Sequence, residues 1–307
     1  MRGLINFLKK SICGKRVLLL GHHNADLDAV GSAIGLAEAF KEKFPKAQVK
    51  IGAPESVSKA GLKLLAELGY KAIINPKPEN FDIIITLDIS NPGQVAPLEL
   101  PMGKPIIVID HHYSDQKLEN IVKYSIINER AAATSELVYD FLKKLKAKIT
   151  KRIGQALISG IITDSAYLRA ASSNTFKAIA EILEKTRLDF YSVLTFLEEP
   201  TDISKKMAHL KAAQRLKIHR VDKWIVATSN VSSHEASASR GLLQLGADIA
   251  LVAAKKKDQV RISGRARPEI IKETGFHLAR DVMTKIGEII GGTGGGHDGA
   301  AAASGPL

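Results

Sequence analysis

An apolar run at residues 17–20 ends in Gly21 and gives way to a polar loop, then to residues 29–44, where apolar positions recur at helical spacing. Strand, loop and helix are predicted in that order. The alternation returns with a strand at 49–51, a helix at 58–68, a strand at 83–87 ending on Asp88, and a strand at 106–109 ending on Asp110. Each strand is a near-continuous Ile/Val/Leu run, which suits a parallel sheet buried on both faces. From Thr134 to about Leu183 the pattern turns helical, most clearly at 134–145 and 151–162. Residues 190–217 also read as helical, contain Pro200 and Thr201, and are expected to join two domains. Beyond them strand-like runs resume at 224–228, 249–253 and 259–265, with helices at 235–245 and 276–286. The expected architecture is α/β: a parallel-sheet domain over residues 1–188, a helical linker over 189–220, and a smaller α/β domain over 221–307.

Composition narrows the class. The chain has 307 residues, 45% hydrophobic and 25% charged, which is globular and long enough for two domains. Lys and Arg number 44 against 32 Asp and Glu, a net charge of +12 that favours a polyanionic partner. Cys13, the one cysteine, can build neither an intramolecular disulfide nor a thiolate metal site, which disfavours an oxidising compartment. The opening MRGLINFLKKSICGKRV mixes lysines among its apolar residues and does not read as a signal peptide, and no apolar run approaches the roughly 20 residues of a membrane span. A cytoplasmic protein without membrane contact is expected.

The polar residues of interest cluster where strands end, the edge at which open α/β sheets bind ligands. His22, Asp26 and Asp28 share one loop, Asp88 ends one strand, Asp110-His111-His112 ends another, and Asp164 follows the apolar helix of 153–162. Taken singly, Asp26 or Asp88 is a helix cap or turn residue, and His22 or His23 a loop histidine. Together they place several carboxylates at one sheet edge, where mutual repulsion calls for cations. Oxygen-rich ligation with a minority of imidazole suits Mn²⁺ or Mg²⁺. The donors exceed one ion's needs, and a pair of ions sharing a carboxylate is the usual device for phosphoryl hydrolysis.

These segments resemble the DHH phosphoesterase superfamily: GHHNADLDAVGS its first motif, ITLDIS its second, VIDHH its third and GIITDSAYLR its fourth. VRISGRA and GGTGGGHDGAAAA resemble motifs of the accessory DHHA1 domain. The resemblance spans nearly the whole chain, and it implies an active site in a cleft between the two domains. It implies that His22 and Asp26 hold one metal, that Asp28, His111 and Asp164 hold the other, and that Asp88 bridges them. His112 is expected to face the scissile phosphate, and Asp110 to orient a neighbouring imidazole. In the second domain Ser263, Arg265, Gly294, Gly295, Gly296 and His297 are expected to bind substrate phosphate, with the glycines permitting close backbone approach. The fourth motif departs from the pattern, with Ser165 and Ala166 where relatives often carry Thr and Gly. The chain also ends soon after its Ala run, where relatives usually continue.

The implied activity is a single-strand exonuclease or short-oligonucleotide hydrolase of the compact RecJ-like type, releasing nucleoside 5′-monophosphates. The alternatives are a phosphatase of 3′-phosphoadenosine 5′-phosphate (PAP) and a phosphodiesterase of cyclic or linear dinucleotides. Residues 201–307 hold 17 Lys and Arg against 10 Asp and Glu, a net +7, which suits a track for several phosphates of single-stranded DNA or RNA. Aromatic residues make up only 5%, so Tyr167, Phe276 and Trp224 are weak candidates for base stacking and read first as core. A DNA-repair or replication protein partner and a homodimer through the first domain complete the expectations.

Overall fold

A computed structural model describes residues 1–89, 91–112, 122–198, 202–256 and 258–306. Ser90 of the second motif, and Pro200 and Thr201 of the expected linker, lie outside the described residues. Two compact units divide the chain, Met1–Glu198 and Glu199–Leu307.

In the first unit the elements run α1 (Arg2–Ser11), β1 (Arg16–Leu20), β2 (Asn24–Ala25), α2 (Leu27–Lys43), β3 (Gln48–Ala53), β4 (Ser56–Val57), α3 (Lys59–Glu67), β5 (Ala72–Ile74), β6 (Ile83–Leu87), β7 (Ile106–Asp110) and β8 (Val122–Ile127). Helices α4 (Thr134–Leu145), α5 (Lys151–Asp164), α6 (Ser173–Thr186) and α7 (Phe190–Leu197) follow. Six strands form a sheet in the order β5-β3-β1-β6-β7-β8, every pair parallel as expected. Period-two alternation splits the apolar strands between its faces. Val17, Leu19, Ile83, Ile85, Ile107 and Ile109 join the main core with the helices, while Leu18, Leu20, Ile84 and Ile106 pack on Phe81, Ile89 and Val95 behind.

The position of α5 against α2 is set by glycine. A Cβ on Gly31 would lie 2.3 Å from the carbonyl oxygen of Ala156, and one on Gly35 2.8 Å from Leu157. Hydrogen in place of a side chain lets the two helices meet backbone to backbone. That crossing brings the start of α2, with Asp28, beside the end of α5, with Asp164. The helix expected to stop at 162 continues to Asp164.

In the second unit come α8 (Ile203–Gln214), β9 (Lys217–Val221), β10 (Trp224–Val231), α9 (Glu235–Gln244), β11 (Ile249–Lys256), β12 (Gln259–Ala266), α10 (Pro268–Thr274), a π-helical turn (Ala279–Met283), α11 (Thr284–Ile289), β13 (Thr293–Gly296) and β14 (Ala300–Pro306). Their sheet runs β13-β14-β12-β11-β10-β9, with only the β10–β11 pair parallel. Small residues build one core, Ala208, Ala212, Ala238 and Leu242 of the helices against Ala227, Ala250 and Val252. The opposite face packs Ile249, Ala301 and Ala303 on Leu278 and Met283. The closing Gly/Ala-rich segment is thus two paired strands rather than a tail. The expected helical linker of 189–220 holds α7 and α8 but ends in strand β9 rather than helix, with Val193 and Leu197 of α7 in the core of the first unit and Ala208 and Ala212 of α8 in that of the second. Among the described residues no helix is long and apolar enough to cross a membrane.

Candidate metal centre

Three neighbouring parallel strands, β1, β6 and β7, end on the residues singled out above. His22 follows β1 by two positions, Asp88 follows β6 directly, and Asp110 closes β7 ahead of His111 and His112. The sheet order reverses direction between β1 and β6, so the cluster sits at the topological switch point where α/β sheets bind ligands. Asp26 caps α2, its Oδ1 accepting N–H bonds from Asp28 at 2.9 Å and Ala29 at 3.1 Å. Its ordinary capping role and its place in the cluster coexist, because the same oxygen lies 3.7 Å from His22 Nε2.

Asp88 is the centre of the group. It is 3% exposed, and its φ of 60° lies in the left-handed region, sparsely used by non-glycine residues and enriched at functional sites. Its Oδ2 lies 3.8 Å from His22 Nε2, and its Oδ1 lies 3.5 Å from His111 Nε2 and 3.4 Å from His112 Nδ1. The two oxygens of one carboxylate therefore face two different donor sets. His22, Asp26 and Asp88 bring one ligand atom each within 4.8 Å of one another, as do Asp28, His111 and Asp164, and as do Asp88, His111 and His112.

Asp28, fully buried, is held by the first turn of α4. Its Oδ2 accepts from Thr134 N–H at 2.6 Å and its Oδ1 from Ser135 N–H at 2.9 Å, while the Thr134 hydroxyl donates to Asp88 Oδ1 at 3.1 Å. Gly160 leaves room for this arrangement, since a Cβ there would lie 2.4 Å from Ser135 Oγ and 2.8 Å from Asp28 Oδ1. Sequence reasoning missed Thr134 and Ser135, whose only sequence signal is their place at the start of a predicted helix.

Electrostatics describe a cluster short of positive charge. Burial drives the Asp28 carboxyl well above the usual carboxylate range, and the charges of Asp88 and Asp164 add to it. Burial opposes a proton on His111, but the carboxylates of Asp164 and Asp88 and the charge of Asp28 outweigh it and push the imidazole up to about 11. His22 is raised as well, its burial outweighed by Asp26 and then Asp88. His112 is raised first by its bond to Asp110, whose Oδ1 lies 3.0 Å from His112 Nδ1.

The residues fit a divalent cation. His111 Nδ1 lies 3.1 Å from the Ala131 carbonyl, to which it donates, leaving Nε2 as the lone-pair nitrogen of the neutral ring. That Nε2 is buried and, although 2.9 Å from Asp164 Oδ2, makes no aligned hydrogen bond. A lone pair directed at two carboxylates is repelled unless a proton or a metal lies between them. His112 has Nδ1 engaged by Asp110, its other ring nitrogen without a partner among the described residues, and its side chain 44% exposed. His23 is exposed beside His22, with ring centroids 5.9 Å apart.

In the second unit Ser263 and Arg265 alternate with buried Gly264 on β12, and Arg261 shares their face. Ser263, buried at 3% exposure, pairs across to Ala302 and the half-buried Arg265 to Ala300, beside β14 and β13. A groove there is lined by Arg261, Thr293, Gly295, Ala302 and Ser304 among others. Burial, then the charge of Arg240, lowers the affinity of the Arg265 guanidinium for its proton, so an anion beside it is favoured. The glycines divide by role. A Cβ on Gly294 would lie 1.8 Å from the Met283 carbonyl oxygen, so close packing of the helical layer accounts for that glycine, whereas Gly295 faces open space. Gly296 has a φ of 137°, and His297 is exposed at the turn into β14, its N–H bonded to Ala300 O at 2.8 Å. Of the three aromatics read as core, Trp224 and Phe276 pack on the second-unit core, but Tyr167 is 60% exposed, which corrects that expectation.

Comparison with known proteins places these features in a family. Residues 16–161 match the model of the DHH family, N-terminal domain, and residues 222–307 that of the DHHA1 domain. The uncharacterized protein MJ0988 of Methanocaldococcus jannaschii is 36% identical over 306 residues, covering 99% of this chain and 90% of that one. A probable bifunctional oligoribonuclease and PAP phosphatase, NrnA of Streptococcus mutans, is 25% identical over 197 residues, covering 63% of this chain and 60% of its own length. The fold is shared with the crystal structure of an exopolyphosphatase-related protein from Bacteroides fragilis, at a TM-score of 0.58 and 17% identity over 99% of this chain and 91% of that one. Metal dependence is a property of the family whose motif residues converge here. The chain belongs to the DHH family of phosphoesterases, hydrolases of phosphoester bonds, and carries a DHHA1 domain at its C-terminal end.

Proposed function

We propose that the chain is a two-metal phosphodiesterase that hydrolyses short single-stranded oligonucleotides and releases nucleoside 5′-monophosphates, with Mn²⁺ preferred over Mg²⁺. The observation that carries this reading is the division of Asp88: one oxygen faces His22, the other His111. His22 and Asp26 would hold one ion, and Asp28, His111 and Asp164 the other, with Asp88 shared. Bound there, the pair supplies charge neutralisation at the phosphoryl oxygens and activation of the attacking water.

The chain's own residues do the rest. Asp110 fixes the His112 ring through Nδ1, so the remaining nitrogen is the one that can pass a proton to the leaving oxygen. Thr134 and Ser135 orient Asp28, and the Ala131 carbonyl sets the His111 ring. In the second unit Arg265, Ser263, Gly295, Gly296 and His297 would bind substrate phosphate, Arg265 through its two-pronged guanidinium. The net +7 of residues 201–307 supports a chain of phosphates over an isolated one.

A second reading, phosphatase of PAP or phosphodiesterase of dinucleotides, is favoured by the name of the Streptococcus mutans relative, which joins oligoribonuclease and PAP phosphatase. One length series of 5′- and 3′-labelled single strands, in both sugars and from the dinucleotide upward, with PAP alongside, tests both readings. Stepwise release of mononucleotides from strands longer than a dinucleotide supports the first. Turnover confined to dinucleotides or PAP supports the second, and no hydrolysis of any of them with Mn²⁺ overturns both.

A further inference from the structure

Asp164 leads into a turn whose backbone is unusual. Ala166, Tyr167 and Leu168 have φ values of 51°, 55° and 68°. L-residues other than glycine visit this left-handed region singly and at a cost, so three in succession need a strong local reason. The conformation is locked around the fully buried Ser165. Its hydroxyl donates to Ile162 O at 3.2 Å and accepts Leu168 N–H at 3.1 Å, while its carbonyl accepts Ala170 N–H at 3.0 Å. Tyr167 N–H donates to Ile162 O at 2.8 Å.

The turn sorts its side chains. Leu168 packs on the main core, and Tyr167 is left outside. Among the described residues the Tyr167 hydroxyl has no hydrogen bond and its ring no aromatic or cation partner. Core stability does not call for this arrangement, because the tyrosine contributes little burial and the backbone that presents it is strained. Strain kept next to a reactive cluster is characteristic of residues held ready for a ligand. The Tyr167 backbone is also tied to the centre, since three residues of chain from Asp164 span at most about 10 Å, and Asp164 Oδ2 lies 2.9 Å from His111 Nε2.

We propose that Tyr167 is a stacking platform for a nucleobase of the substrate whose scissile phosphate lies at the Asp88 centre. A rigid turn that offers a bare aromatic face suits a ligand with a flat π-surface attached to a phosphate, and stacking tolerates any base. This rests on the reading of the substrate as a nucleotide polymer or dinucleotide, and it adds which residue takes the base. Arg169, exposed two residues on, keeps the neighbourhood of the ring positive.

The test compares a dinucleotide with its abasic analogue, which keeps the phosphodiester and sugar but has no base to stack. In Tyr167→Leu the ratio of kcat/KM for the dinucleotide over the abasic compound falls about tenfold relative to wild type, mostly through KM, while Tyr167→Phe and Tyr167→Trp keep it within about twofold. Thermal unfolding of each variant reports whether the turn survives. A Tyr167→Leu protein whose ratio stays at the wild-type value, whatever its absolute rates, overturns the proposal. A binding arm separates this from the reading beneath it: calorimetric titration with AMP and with ribose 5-phosphate needs no turnover. If wild type hydrolyses neither diester, the substrate reading fails, and retention of the AMP preference in Tyr167→Leu then overturns the stacking role too. Loss of that preference in Tyr167→Leu alone upholds it.

Discussion

The hydroxyl of Thr134 donates to Asp88 Oδ1 at 3.1 Å, joining the first turn of α4 to the carboxylate at the centre of the cluster. The backbone N–H of the same residue reaches Asp28 Oδ2 at 2.6 Å. One buried residue thus fixes the spacing of two carboxylates that repel each other, and it does so from a helix N-terminus, where the macrodipole favours negative charge.

Thr134→Val is therefore expected to keep the fold and the Asp28 contact and to lose only the orientation of Asp88. Activity or metal affinity should fall by roughly 10- to 100-fold, the range for lost partners of metal ligands. Thr134→Ser should restore most of it. Calorimetric metal titrations of both variants check this, and equal losses in the two would show that shape, not the hydroxyl, matters.

Asp88→Asn should separate stability from function. It removes a charge that repels the buried Asp28 carboxyl but also attracts the protonated rings of His22, His111 and His112, so the opposing effects should keep the metal-free protein within about 1 kcal/mol of wild type, which for a unit of this size is ~2–4 °C in Tm. Phosphodiester hydrolysis should fall on the order of a hundredfold or more, and added Mn²⁺ should no longer raise Tm. Melting curves with EDTA and with Mn²⁺ decide the matter.

The pH response of the metal-free protein has a definite sign. His111 is raised from about 6.5 in the unfolded chain to about 11 when folded, and Asp28 is raised too, so the folded state binds more protons than the unfolded one. The stability His111 contributes is complete below about pH 6.5 and is lost as pH rises toward 11, and the Asp28 shift works in the same direction at lower pH. In EDTA, Tm should decline with rising pH across this window. Metal must displace the His111 proton, so Mn²⁺ affinity should rise with pH over the same interval and binding should release protons, as titrations in buffers of different ionisation enthalpy would show.

Ala166→Gly relieves a left-handed residue at no cost in contacts, since Ala166 is exposed with a φ of 51°. A gain of about 1 kcal/mol is expected, visible in chemical denaturation, with activity retained. Gly160→Ala should do the reverse. Its methyl would sit 2.8 Å from Asp28 Oδ1 and 2.4 Å from Ser135 Oγ, costing about 1–3 kcal/mol and displacing a predicted ligand, so hydrolysis should drop more than stability alone explains.

Much of this protein was legible in one dimension because its signals are local. Continuous Ile/Val/Leu runs marked β1, β6 and β7, and the parallel sheet they imply carried His22, Asp88 and the Asp110-His111-His112 run to one edge without further information. The elements that escaped include α1 among its lysines, the short β5, β8, β9 within the expected helical linker, α10, and β13 and β14, whose glycines and alanines become strands only because they extend an existing sheet. Tertiary structure alone decided how close the groups come. The glycine-mediated crossing of α2 and α5 set Asp28 beside Asp164, the start of α4 supplied Thr134 and Ser135 to hold the carboxylates, and the left-handed turn after Asp164 put Tyr167 into solvent. Distances of a few ångströms between residues far apart in the chain depend on packing at each crossing, and no periodicity along the sequence encodes them.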